Sequence, residues 1–202
     1  MHDRQSKSYR ITIRAILMAF IFVQGMVPFL GFIPIGFISL TIIHITVIVA
    51  AITLGTKDGM FVGLVWGLTT MIRAWTMPTT PLDTLIFTNP LVSVLPRILV
   101  GLVAGFVFSF LYKKTKSTFV PTIVAATLGT LTNTILVLGS MGLLYTAPVA
   151  AQYGTTANGL FAVLAVAVLT NGIPEVIGAV IITPMITKAI FAATKLSPEL
   201  RH

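Results

Sequence analysis

In the stretch TNGIPEVIGAV, residues 170–180, a glutamate stands inside a run of almost nothing but apolar and small residues. Glu175 lies one helical turn after Asn171, on the same face, with Pro174 between them. His44, Arg73, Arg97 and Asn133 interrupt other apolar runs in the same way. A carboxylate, an imidazole, two amides and two guanidiniums are a set able to hydrogen-bond a small polar molecule. If Glu175 neutralises one arginine, the other remains as a bidentate partner for a carboxylate or phosphate, so an anionic ligand is favoured. Glu175 and His44 together could also relay protons. Each residue has a plainer use as well. Glu175 could pair with an arginine to join two helices, Asn133 and Asn171 could bond between helices, and His44 could be a satisfied packing residue. Arg73 could be an interfacial anchor beside Trp75. Arg97, which follows Pro96 deeper in its run, fits such a use least.

The elements that must position these groups are membrane spans. The 202 residues are 56% hydrophobic and only 9% charged, and the mean hydropathy is +1.00, far more apolar than a soluble chain. A spanning helix needs roughly 20 apolar residues, and six runs are candidates: 11–27, 40–54, 59–75, 91–112, 121–145 and 160–193, the second and third of them short. The last is about 50 Å long at 1.5 Å per residue, so it must tilt, kink or project, with Pro174 and Pro184 as places to bend. The expectation is an all-α membrane protein, a single domain over residues 1–202 with six transmembrane helices. The first run follows a basic segment as a signal peptide would, but no small-residue cleavage site follows it, and it is taken as the first span.

A net charge of +8 could suggest nucleic acid, but the basic residues sit at the ends of apolar runs rather than on a face with interleaved aromatics. They orient the chain instead. Arg4, Lys7, Arg10 and Arg14 precede span one, Lys57 separates two and three, Lys113, Lys114 and Lys116 separate four and five, and Lys188, Lys195 and Arg201 close the chain. All lie on one side if both termini are cytoplasmic. Arg73 and Arg97 are the exceptions, and a charge within a span costs several kcal/mol unless it is paired or faces water.

The cytoplasmic lysines also serve as rulers. At 1.5 Å per residue, Arg97 stands about 24 Å above Lys113, Arg73 about 24 Å above Lys57, Asn133 about 26 Å above Lys116 and Asn171 about 26 Å above Lys188. That shared level is near the outer edge of a hydrocarbon core ~30 Å thick. Glu175 and His44 lie about one turn deeper. The expected site is therefore a polar pocket open to the outside, floored by Glu175 and His44 and walled by Arg73, Arg97, Asn133 and Asn171.

Small residues at four-residue spacing allow close helix approach: Gly59, Gly63 and Gly67 in span three, Gly101 and Gly105 in span four, and Ala15 and Ala19 in span one. The last pair, near the cytoplasmic boundary, could dock another protein. The chain has no cysteine and only three histidines, so no metal site is expected. It lacks the G-x-x-x-x-G-K-[ST] phosphate loop and any catalytic set for an intramembrane enzyme, so no enzyme activity and no cofactor are expected. A binding protein without an engine needs a partner.

The Ala15 and Ala19 pair, the run FIPIGFISLTIIHITVIVAAITLGTKDGMFVGLVWGL and the closing NGIPE with TPMITKAI resemble the substrate-binding S component of an energy-coupling factor transporter. The resemblance covers nearly the whole chain, and LGFIPIGFISLTIIHI with LPRILVGLVAGFVF is most similar to pantothenate-specific members. It implies a six-helix S-component fold in a prokaryotic plasma membrane, with a vitamin bound near the outer face. It implies gate loops at 28–39 and 76–89, with Phe32, Ile33, Pro34, Trp75 and Pro81 as gate residues. The implied partners are a transmembrane coupling (T) protein, docked at Ala15 and Ala19, and two ATPases that use ATP and magnesium. The S component is thought to topple within the bilayer.

Pantothenate carries a carboxylate, an amide and two hydroxyls. Arg97 is expected to meet the carboxylate, Asn133 and Asn171 the amide or hydroxyls, and Glu175 is expected either to accept a hydroxyl at the pocket floor or to be the counter-ion of an arginine. Folate, hydroxymethylpyrimidine or pyridoxine would use the same fold, with Trp66, Trp75 and Tyr145 as the few stacking candidates. A proton-coupled carrier using Glu175 and His44 and a non-transporting membrane scaffold are rivals of other classes.

Overall fold

A computed structural model describes residues 2–35, 38–78 and 81–194; Lys195 and Arg201 of the orienting set lie outside the described residues. The apolar runs coil for most of their length into helices, because a backbone in lipid must satisfy its own polar groups. The first helix, α1 (His2–Met26), leads through a single turn, α2 (Pro28–Gly31), into a hairpin. Its strands, β1 (Phe32–Ile35) and β2 (Ile38–Thr41), are antiparallel, with Phe32 opposite Thr41 and Ile35 opposite Ile38. The Ile42 N–H donates to the Gly31 carbonyl at 3.0 Å, one rung further.

The hairpin corrects one expectation. Leu40 and Thr41 do not begin the second span but complete β2, and α3 starts at Ile43. The segment is rich in β-branched and aromatic residues, and Pro34 is tolerated because both strands of a two-stranded hairpin are edges.

The next helix, α3 (Ile43–Leu54), is buried along all its length, enclosed by α1 (His2–Met26), α4 (Thr56–Thr76), α7 (Leu95–Thr115), α8 (Phe119–Leu144) and α10 (Ala157–Ala193). Gly55, at φ 111°, supplies the tight corner into α4 (Thr56–Thr76). Two short helices follow, α5 (Pro81–Phe87) and α6 (Pro90–Ser93). Then come α7 (Leu95–Thr115), α8 (Phe119–Leu144), the short α9 (Thr146–Gln152), and α10 (Ala157–Ala193). At 37 residues α10 runs unbroken through Pro174 and Pro184, about 55 Å in all.

Among the described residues, four segments are long and apolar enough to cross a membrane: Ser8–Met26, Pro90–Thr115, Phe119–Leu144 and Ala157–Ala193. Large apolar side chains such as Phe106, Leu143, Ile181 and Met185 are exposed on their outer faces. Together these make the chain a multi-pass membrane protein.

The basic residues of α1 do more than mark a side. Arg10 Nη2 and Arg14 Nη1 each approach a different oxygen of Asp58 at 2.9 Å. Arg10 Nη2 also donates to the Leu54 carbonyl at 2.9 Å, at the carboxyl end of α3. Asp58 sits in the first turn of α4, where a negative charge suits the helix dipole. One acid thus fastens α1 to the corner between α3 and α4.

The helices α4 and α7 meet backbone to backbone along the glycine ridge. A Cβ at Gly63 would stand 2.2 Å from the Arg97 carbonyl oxygen, and one at Gly101 would stand 2.3 Å from the Gly59 carbonyl carbon. No rotamer relieves a clash with main chain. Overpacking of this kind costs about 1–3 kcal/mol, so Gly63→Ala should lower the thermal unfolding midpoint by several degrees. Gly178→Ala, where nothing lies within 4 Å of the added carbon, should not lower it. Equal midpoints for the two variants would show that the ridge is not a close contact.

Candidate functional site

Glu175 is carried inward by α10 and is 8% exposed. Its Oε1 accepts the Thr41 N–H at 2.8 Å, and its Oε2 accepts the Thr134 hydroxyl at 3.1 Å. One carboxylate therefore joins the end of the hairpin, the middle of α8 and the middle of α10. Both oxygens are engaged by uncharged donors, so among the described residues the carboxylate serves as a latch on the β2 strand in place of the arginine pairing that was one of its two expected roles.

Arg97 enters the interior from the first turn of α7 and is 6% exposed. Its Nη1 donates to the Val92 carbonyl in α6. The guanidinium carbon lies 4.9 Å from the Trp66 ring centroid and 5.9 Å from that of Phe87, distances at which the ring faces attract the cation. Its Nε has no hydrogen-bond partner among the described residues. The segment around it is tied by further polar contacts. Asn89 caps α6 through the Leu91 N–H and donates from Nδ2 to the Tyr145 hydroxyl, each at 3.0 Å. The Ser93 and Thr84 hydroxyls donate to the Phe87 and Ala74 carbonyls.

Asn133 and His44 are also buried. Among the described residues, the Asn133 Oδ1 lacks a hydrogen-bond partner, and the buried His44 ring has only the Thr41 backbone beside it. Buried polar atoms are normally satisfied, so an unmatched set implies a ligand or ordered water. The three helices that supply them, α3, α7 and α8, pack against one another, and α10 packs on α3 and α8. Arg97 Nε brings a donor, Asn133 Oδ1 an acceptor, and the His44 ring can supply one of each when neutral.

Arg73 and Asn171 are only half-buried, Arg73 in the last turn of α4 and Asn171 one turn before Glu175. Trp75 is 61% exposed at the end of α4, where the 76–89 connection begins. Phe32, Ile33 and Pro34 form β1, and Pro81 opens α5; their side chains lie outside the described set. Ala15 and Ala19 are both exposed on α1, beside exposed Ile16 and Phe20.

Sequence reasoning missed Thr134, Thr41 and the place of Trp66. TLTNT, at 130–134, puts Thr130 and Thr134 one turn apart beside Asn133, a signal that was readable. Thr41 acts through its backbone N–H, which has no residue-type signature. Trp66, read as a stacking surface for a ring-bearing ligand, lies beneath Arg97 instead.

Residues 9–187 match the family described as "ECF transporter, substrate-specific component". The chain belongs to that family. Among curated relatives, the S component is 42% identical over 108 residues to "Pantothenate transporter PanT" of Leuconostoc mesenteroides subsp. mesenteroides, a stretch covering 52% of each chain. It is 36% identical over 166 residues to "Pantothenic acid transporter PanT" of Lactococcus lactis subsp. cremoris, covering 76% of this chain and 78% of the relative. The matched stretch thus spans about half the length of the first relative and more than three quarters of the second. A substrate-specific component must enclose a ligand, and the unmatched donors and acceptors of the S component are groups through which it could do so.

Proposed function

We propose that this chain is the pantothenate-binding subunit of an ATP-driven importer in a prokaryotic plasma membrane. It has six transmembrane helices and cytoplasmic termini, and it takes up the vitamin from the outside. The observation that carries the reading is Arg97. A guanidinium buried against Trp66, with its Nε unpartnered, suits the carboxylate of a small acid. Asn133 and His44 then meet the amide and hydroxyls. Two bacterial relatives named as pantothenate transporters point to the vitamin.

Loading is followed by closure of the hairpin and of the 76–89 connection over the site, with the Glu175 latch holding β2 down. Transport is driven by a transmembrane coupling protein and two ATPases, which provide the ATP and magnesium chemistry. The exposed face of α1 that carries Ala15 and Ala19 docks on the coupling protein, since small residues let helices approach closely.

Isothermal calorimetry on the purified chain tests the ligand. Pantothenate should bind saturably at one per protein, while folate, hydroxymethylpyrimidine and pyridoxine give no heat. A folded protein that ignores pantothenate and binds another member of that panel would reject the vitamin assignment.

A further inference from the structure

At the end of α7 remote from Arg97, where the chain turns into α8, a cavity of about 380 Å³ opens between the amino end of α8 and the carboxyl-terminal third of α10. This is near the lower end of the size range of small-molecule sites. Its polar wall is Thr118, Thr122, Thr187 and Lys188. Thr187 is 2% exposed, lines the cavity, and its hydroxyl has no hydrogen-bond partner among the described residues. Thr118 begins α8 without capping it through its side chain, so the positive end of the helix dipole borders the same space. Lys188 adds an exposed ammonium, and Lys116 lies two residues before Thr118 in the turn from α7. Among the described residues lining the cavity none is acidic.

The remaining wall is of the opposite character. Phe119 and Met185 are exposed on the surface that faces lipid, and Pro184 and Phe191 continue it. The cavity therefore joins an anion-seeking corner to a greasy outer groove, at the level where the lysines end the apolar stretch. A free anion would use only the first half.

We infer that this cavity holds an anionic phospholipid. The headgroup phosphate meets the Thr187 hydroxyl, Lys188 and the amino end of α8, and an acyl chain lies along Phe119 and Met185. The site is separate from Arg97 and Glu175 and does not depend on which vitamin is bound; only its assignment to the cytoplasmic leaflet rests on the proposed orientation.

Native mass spectrometry of the intact detergent-solubilised protein tests it. The probes are phosphatidylglycerol, phosphatidylcholine of the same chain length, and inorganic phosphate. Phosphatidylglycerol should saturate at one tightly held molecule at concentrations where phosphatidylcholine leaves no adduct. Thr187→Val combined with Lys188→Gln should weaken that adduct at least tenfold, with helicity and pantothenate binding unchanged. Lys188→Gln alone, at an exposed position, should weaken it several-fold and serves if the double variant does not fold. Equal retention of the two lipids, or undiminished phosphatidylglycerol binding by the variants, would overturn the proposal. Displacement of the lipid by millimolar inorganic phosphate would also overturn it, by showing a small-anion site.

Discussion

Replacing Arg97 by alanine should weaken pantothenate binding by about thirtyfold or more. Removing one partner from a buried, hydrogen-bonded charge pair costs about 2–5 kcal/mol, which is roughly 30-fold to several thousandfold in affinity. The same side chain also donates to the Val92 carbonyl and packs over Trp66, so lost binding alone could reflect a loosened α6. Two further measurements separate these causes. Arg97→Lys keeps the charge but not the planar fork, and should bind at an intermediate level. The alcohol analogue of pantothenate, which lacks the carboxylate, should bind the parent protein far more weakly than pantothenate does, and Arg97→Ala should erase that preference. If a folded Arg97→Ala variant keeps it, the guanidinium does not hold the carboxylate.

Glu175→Ala should cost about ten- to a hundredfold in affinity, mostly through faster release of the vitamin. The variant strips a partner from the Thr41 N–H and from the Thr134 hydroxyl, and a buried group left unsatisfied costs about 1–3 kcal/mol. It also frees the end of β2 from α10. Glu175→Gln should behave quite differently. The amide oxygen can still accept the Thr41 N–H. The amide nitrogen can donate to Thr134, whose hydroxyl can turn to the Thr130 carbonyl already 3.3 Å away. A latch therefore tolerates glutamine, and binding should stay within about threefold of the parent. A proton relay through Glu175 and His44 does not tolerate it, because glutamine cannot titrate. Stopped-flow release rates for the two variants decide the matter; glutamine failing as badly as alanine would mean that the charge, not the hydrogen bonds, is what the site needs.

The helices were readable in the sequence because lipid enforces long apolar runs, and each run falls mostly on helix, the second losing Leu40 and Thr41 to β2 and the fourth divided between α6 and α7. The hairpin was not readable, since FIPI and ISLT are apolar stretches whose pairing depends on a turn and on a distant glutamate. Arg97 stood out because a guanidinium inside an apolar run has few uses, and its cradle of Trp66 and Phe87 could not be foreseen from spacing, as those rings come from α4 and α5. The partners of Glu175 stayed hidden for a different reason. A backbone N–H 134 residues away leaves no trace in composition, and an arginine counter-ion was the chemically obvious substitute. The second role of Arg10 and Arg14 was missed because charge asymmetry alone accounted for them, while Asp58 ties both to one point.

The complete enclosure of α3 has a consequence for how the protein is made. Twelve residues of helix reach about 18 Å, well short of a hydrocarbon core ~30 Å thick. Every one of the twelve is covered by other helices. During synthesis this segment emerges before α4, α7, α8 and α10 exist, so of the helices that enclose it only α1 is there to cover it. It must wait at the membrane surface or within the insertion machinery until the later helices close around it. Damage to α8 or α10 would then appear first as an early segment left outside the bilayer, far from the altered residue in sequence and ahead of any defect in binding.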